Sequence, residues 1–209
     1  MIIATPLDLP NLIVDDWDVF WNLWEQNAKT LIKVRQNVAT SKLKVGGPSP
    51  WKGFDIFRNH LQWETAWEAP FVDIKNDLPG FYDQLCNLPF DSMYRVRIIT
   101  SLVDIVPHTD DAADVWSVRY MLHYTDQKPQ WYFTEPGSHS THQDKKYFTS
   151  SPDTNWFAYN DKYCYHGTDL NPAHPKLLLQ VYVPLHKAHI HLPLVISSIE
   201  KYKEFTVSI

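Results

Sequence analysis

Three side chains in this 209-residue sequence have the types and spacing to hold one divalent cation: His108, Asp110 and His166. His108 and Asp110 close the apolar, β-rich run 94–110. In an extended chain residues i and i+2 point to the same side, roughly 6.6 Å apart, so one ion can touch both. His166 lies in Tyr-Cys-Tyr-His-Gly-Thr, just before the most apolar strand-like run of the chain, 177–183. Two imidazoles and one carboxylate with open positions are the donor set of a non-haem ferrous site.

Composition alone weakens the triplet as a signal. With 10 His and 24 Asp plus Glu, about one His-x-Asp/Glu triplet is expected by chance, and the sequence holds two. The other, His142-Gln143-Asp144, sits in a polar stretch with no apolar strand leading into it. It would leave only 24 positions before His166, against 58 for His108. Ligands on opposite walls of a two-sheet barrel need several strands of about 5–6 residues between them. The longer spacing accommodates these, so His142 and Asp144 read as a solvated loop.

The elements that must position the three ligands follow from periodicity. Residues 15–33 carry apolar side chains at 17, 20, 21, 24, 28, 31 and 32, one face of a helix, with Asp15 or Asp16 placed to cap it. Residues 38–50 end in Gly-Gly-Pro-Ser-Pro and read as a loop that could act as a flap; 51–58 alternates aromatic and polar residues like a strand. A second short helix is expected over 78–88, with a proline near its start. From 94 onward short β-type runs recur: 94–106, 115–124, 131–133, 147–149, 156–159, 163–166 and 177–184, separated by Pro, Gly, Asp and Asn. Short strands with little helix between them predict a mainly β fold with flanking helices and a jelly-roll core. One domain is expected, with a helical and mixed region 1–93 packed on a catalytic core 94–209. The tail after His189 and His191 has no clear reading.

Composition bounds the partners. The net charge is −5 and basic residues do not cluster, so nothing points to a phosphate backbone or to nucleic acid. No apolar run approaches the roughly 20 residues of a membrane span, and no signal peptide is visible. Cys86 and Cys164 form no CxxC pair; both read as buried apolar residues in a reducing, cytoplasmic compartment.

The order His108-x-Asp110, His166 and then Lys176 resembles the Fe(II)/2-oxoglutarate-dependent oxygenases of the double-stranded β-helix fold. In that family a basic residue about ten positions after the distal histidine holds the far carboxylate of 2-oxoglutarate, and Lys176 stands ten positions after His166. The resemblance, which covers about 94–184, implies Fe(II), 2-oxoglutarate and O2 as cofactors. It also implies hydroxylation of a C–H bond on an amino-acid side chain or small polar substrate, with 2-oxoglutarate converted to succinate and CO2. A looser likeness is to the aspartyl/asparaginyl β-hydroxylase branch: Leu88-Pro-Phe, Tyr94-Arg-Val-Arg, the metal pair, then Arg119 on the next strand. Met121 stands where that branch often carries a histidine, and Lys176 where it carries arginine.

The residues support the same picture on their own terms. A lysine at the start of a buried strand is costly without an anion, and a cosubstrate carboxylate would supply one. Arg119 is a second candidate for that contact, or for a substrate anion, and Arg97 with Arg95 shares one strand face and can contribute. Arg119, Met121 and His123 share a face by parity. Trp116, Trp131 and Trp156 read as core. His174, His186, His189 and His191 show no ligand geometry. Two other readings use the same ligands: a cupin-like metal-binding module without turnover, and a zinc-dependent hydrolase acting through a bound water. Neither needs a cation ten residues past the last ligand.

Overall fold

The computed structural model of the chain describes residues 1–37, 42–58, 67–90, 93, 95–108, 116–123, 131–135, 145–160, 162–169, 176–182 and 192–209. Asp110 and the His142-Gln143-Asp144 triplet lie outside these residues, as do His174, His186, His189 and His191.

Thirteen strands among the described residues form two sheets. The larger contains, in sequence order, β1 (Ile2–Pro6), β2 (Lys29–Asn37), β3 (Lys42–Arg58), β4 (Trp67–Glu68), β5 (Arg95–Ser101), β7 (Trp116–His123), β10 (Trp156–Asn160), β12 (Leu177–Tyr182) and β13 (Val207–Ser208). Its spatial order is β13-β1-β10-β7-β12-β5-β3-β2-β4. The smaller contains β6 (Ile105–His108), β8 (Trp131–Thr134), β9 (Lys146–Tyr147) and β11 (Tyr165–Thr168), in the order β6-β11-β8-β9. Neighbouring strands pair antiparallel in both sheets. This is the mainly β, jelly-roll architecture that the short strands predict. The strands before residue 94 are hydrogen-bonded into the same large sheet as those after it.

Strand parity sorts the large sheet into two faces. Val96, Ile98, Val118, Tyr120, Leu179 and Val181 point to one side. There they meet Phe20 and Trp24 of α1 (Trp17–Asn27), Phe81 and Leu85 of α2 (Pro79–Cys86), and Val195 of α3 (Leu192–Lys201) in a continuous apolar core. Ile99, Met121, Phe157, Tyr159 and Leu178 point to the other side and pack against Trp131 and Phe133 of the small sheet. Phe133, Phe157 and Leu178 are each no more than 1% exposed, and each such burial contributes about 1.5–3 kcal/mol. The functional side chains must therefore occupy gaps in this second, inner layer.

Four sequence expectations change. The first helix ends at Asn27 rather than 33, because Thr30, Ile32 and Val34 are β-branched and Lys29–Asn37 pairs with β3. Residues 42–50 are strand, not a flap: register shifts in the β2–β3 pairing absorb the Gly-Gly-Pro segment. The run 94–106 divides, since Leu102 and Val103, 43% and 50% exposed, form a surface corner at which the chain leaves the large sheet for the small one. Cys86 is exposed while Cys164 is buried, and neither is in a disulfide.

The helix caps are used as the sequence suggests, with a division of labour. Asp16 accepts from the amides of Asp18 and Val19, at 2.9 and 3.1 Å, and caps α1. Asp15 instead accepts from the amide of Phe81 at 3.0 Å, which ties the start of α2 to the segment leading into α1.

Candidate functional site

The corner at 102–104 delivers His108 to the small sheet, where β6 lies antiparallel to β11 with His108 directly opposite His166. Directly opposed residues of an antiparallel pair share a face. Their rings accordingly lie 4.4 Å apart between centroids, inclined at 49°, close enough for one ion to touch a nitrogen of each. β6 is an edge strand, which is where Pro107, lacking an amide hydrogen, can be accommodated. Asp110 is outside the described residues, and among those residues no third His, Cys, Asp or Glu joins the pair.

His166 is held by aromatic neighbours. It is 1% exposed, stacks on Trp131 at 5.6 Å and 14°, and has the Tyr159 ring 4.7 Å away. The Tyr159 hydroxyl lies 3.5 Å from Nε2 and accepts from Nη2 of Arg119 at 3.0 Å. Arg119, 4% exposed, also donates through Nη1 to the Val118 carbonyl at 3.0 Å. Arg119 thus belongs to the layer that orients the imidazole. Of the residues that parity grouped with it, Met121 is buried in the inner core. His123 instead turns to α1, against Trp17 and Trp21 at 5.6 and 5.0 Å, because the β7–β12 register shifts beside it. Burial there lowers the His123 pKa. Trp131 and Trp156 are core as expected, and Trp116 is partly buried against the outer core.

One further close approach sets the spacing of the small sheet. Gly167, between His166 and Thr168, has the Tyr132 hydroxyl and the Ile105 carbonyl where a Cβ would stand. Tyr132 uses that gap to donate across it to the Ile105 carbonyl at 2.9 Å, linking β8 to the first residue of the strand that carries His108.

Lys176 immediately precedes β12 and is 8% exposed. Its ammonium donates to the Thr168 hydroxyl and lies 5.9 Å from the Trp131 ring. Among the described residues no carboxylate forms an ion pair with it. Burial pushes its pKa down to about 8, with Asp169 opposing the fall; Asp169 is itself held by Lys145 and by the Tyr147 hydroxyl, each at 2.6 Å. His166 and Thr168 are two residues apart on one strand, so imidazole and ammonium address the same side of the small sheet, about two strand rises apart.

Arg97 finds a partner that the sequence did not suggest. Its Nε donates to Oδ1 of Asp55 at 2.7 Å, and both side chains are almost fully buried, at 2% and 0%. Cross-strand register aligns Asp55, Arg97, Gln180, Arg119 and Phe157 in one row across five strands, so all five face the small sheet. Arg97 lies two strands, about 9–10 Å, from Arg119. Asp55, Tyr159, Thr168, Gln180 and Tyr182 join the polar inner layer without having been singled out. Thr168 was within reach of parity, two positions after His166; the rest depend on strand pairing between distant segments.

No protein-family model and no curated protein matches the chain. Among solved structures it is similar to an oxidoreductase of the 2OG-Fe(II) oxygenase family from Burkholderia pseudomallei, at 10% identity over 82% of this chain and 80% of that one, with a TM-score of 0.43. It is also similar to the ribosomal oxygenase YcfD from Escherichia coli in complex with cobalt and 2-oxoglutarate, at 13% identity over 85% of this chain, with a TM-score of 0.35. The match spans 46% of that longer protein.

Proposed function

We propose that the chain is an Fe(II)- and 2-oxoglutarate-dependent dioxygenase that hydroxylates a C–H bond of an amino-acid side chain or small polar molecule. The observation that carries this reading is a buried ammonium, Lys176, that forms no ion pair with a carboxylate among the described residues, on the same inner surface as two facing imidazoles. A desolvated cation of this kind is stabilised by a ligand carboxylate, which a keto-dicarboxylate cosubstrate would supply. The residues fit the implied group: His108 and His166, with Asp110 as the expected third ligand, would hold Fe(II), and Lys176 with Thr168 would hold the far carboxylate. Bound there, iron and 2-oxoglutarate supply the oxidising power for the reaction.

The chain's own residues contribute orientation. Trp131 stacks on His166 and fixes its ring plane, while Tyr159, steadied by Arg119, limits its rotation. Trp131 also lies 5.9 Å from the ammonium, so one indole flanks both the imidazole and the ammonium. Lys176 takes or releases a proton at Nζ as the carboxylate arrives or leaves. Among the described residues no helix is long and apolar enough to cross a membrane; with neither cysteine in a disulfide, a reducing, cytoplasmic setting suits the molecule.

The test is spectroscopic. Anaerobic addition of Fe(II) and 2-oxoglutarate is expected to give a weak visible charge-transfer band, absent in His108→Ala and Asp110→Ala and retained in His142→Ala. Absence of the band from folded wild-type protein, together with no succinate in air, would overturn the reading in favour of a binding module.

A further inference from the structure

At the flank of the inner surface away from Arg119, three guanidinium groups converge on one carboxylate. Asp55, fully buried, receives Arg97 Nε on Oδ1 at 2.7 Å, and on Oδ2 it meets Arg58 Nη2 at 2.5 Å and Arg95 Nε at 3.5 Å. Arg58 reaches this face because the register of β3 against β5 shifts between Asp55 and Phe57, which sets Arg58 directly opposite Arg95. The Tyr182 ring lies 5.9 Å from the Arg95 guanidinium and 5.8 Å from that of Arg97, and its hydroxyl donates to Gln180 Oε1 at 2.5 Å.

Charge and hydrogen bonds do not close within this group. Three cations surround one anion, leaving two positive charges uncompensated among the described residues. The Arg95 side chain is only 11% exposed, yet beyond the 3.5 Å ion pair of its Nε with Asp55 its Nε and Nη1 have no hydrogen-bond acceptor among the described residues, and neither has Nε of Arg58. Burial lowers the Arg95 pKa; Asp55 opposes the fall and Arg97 adds to it. Holding Asp55 in place needs one arginine, and the other two carry a desolvation cost that a purely structural cluster would shed. Buried guanidinium donors left over on two facing arginines, Arg95 and Arg58, are what an oxyanion would stabilise. The register places the cluster at the Arg95–Tyr182 end of β5 and β12, while Lys176 precedes the first residue of β12 at the opposite end.

We propose that Arg95 and Arg58, set around Asp55 with Arg97, form a second anion-binding centre that takes the carboxylate of an acidic substrate. This rests on the oxygenase reading only for the word substrate; the centre itself stands on the geometry. The substrate then spans the inner surface, its carboxylate on β3 and β5 and its oxidisable carbon at the histidines of the small sheet.

The test is isothermal titration of the metal-free chain with N-acetyl-L-aspartate and with inorganic phosphate, and of the Mn(II)-loaded chain with 2-oxoglutarate, in separate arms. Wild type is expected to bind N-acetyl-L-aspartate saturably and more tightly than phosphate. Arg95→Met weakens that binding at least tenfold, Arg95→Lys weakens it less, and Lys176→Met leaves it unchanged. Arg58→Gln, at a side chain 34% exposed, gives the same direction should Arg95→Met not fold. No saturable binding to folded wild type, equal affinity in Arg95→Met or in a folded Arg58→Gln when Arg95→Met fails to fold, or tighter binding of phosphate overturns the proposal. In the 2-oxoglutarate arm, binding is expected to survive Arg95→Met and to be lost in Lys176→Met. Failure confined to that arm sinks the oxygenase reading and leaves the anion centre standing.

Discussion

Lys176 concentrates the energetics of the site in one side chain. Its folded pKa of about 8 lies below the ordinary 10.5. Between those values the unfolded chain holds a proton that the folded chain lacks, so stability rises with pH across that window. The gap corresponds to about 3 kcal/mol. Denaturant unfolding at pH 7.5 and 10 is expected to show this rise in wild type and to show it reduced in Lys176→Met, which also removes the low-pH penalty. A dicarboxylate restores the proton, so 2-oxoglutarate binding near pH 8.5 is expected to take up about three-quarters of a proton, read from calorimetry in buffers of different ionisation heat. Loss of the ammonium is expected to weaken 2-oxoglutarate by about 3 kcal/mol, roughly 100-fold. His108 and His166, picked out in the sequence by residue type and spacing, stand opposite each other in the structure, whereas Lys176 was picked out by the ten-residue offset that the family resemblance implies. The partner of Arg97 was not legible in the sequence: Asp55 stands 42 positions earlier, on a strand whose pairing the sequence does not specify.

Among the elements, β6 and β11 matter most, and their separation is set by a residue that contacts no ligand. A methyl group at position 167 would meet the Tyr132 hydroxyl and the Ile105 carbonyl, and β6 would have to shift. Gly167→Ala is expected to cost about 1–3 kcal/mol in unfolding experiments and to weaken metal binding with all three ligands intact. Tyr132→Phe, which loses one hydrogen bond but keeps the ring, is expected to bind metal close to wild type; equal metal affinity in Gly167→Ala would show that the strand spacing is not critical. The strands of the core were largely visible as short β-branched runs. What was missed at this scale shares one cause. The corner at 102–104, the strand over 42–50 and the early end of α1 are decided by which segment pairs with which. Periodicity in a single segment carries no record of its partner.

For the whole molecule, the proposed ion binding is linked to folding, since the two histidines meet only where β6 pairs with β11 in the small sheet. A ligand at 100 times its dissociation constant adds about 2.7 kcal/mol, which for a chain of this length is a rise of roughly 5–10 °C in melting temperature. Mn(II) is expected to produce such a rise in wild type and none in His108→Ala, by thermal unfolding. The jelly-roll class was readable because turn residues recur between short apolar runs, whereas the face of each large-sheet residue emerged only from the register. The two imidazoles stand side by side although 58 positions separate them. The intervening chain passes through β7, β8, β9 and β10, crossing between sheets on the way. A nascent polypeptide released before β11 is made therefore carries half a chelate, and a misfolded copy carries none. On the proposed reading, loading with iron would act as a quality check on the finished product, confining redox chemistry to molecules whose walls are already in place to contain it.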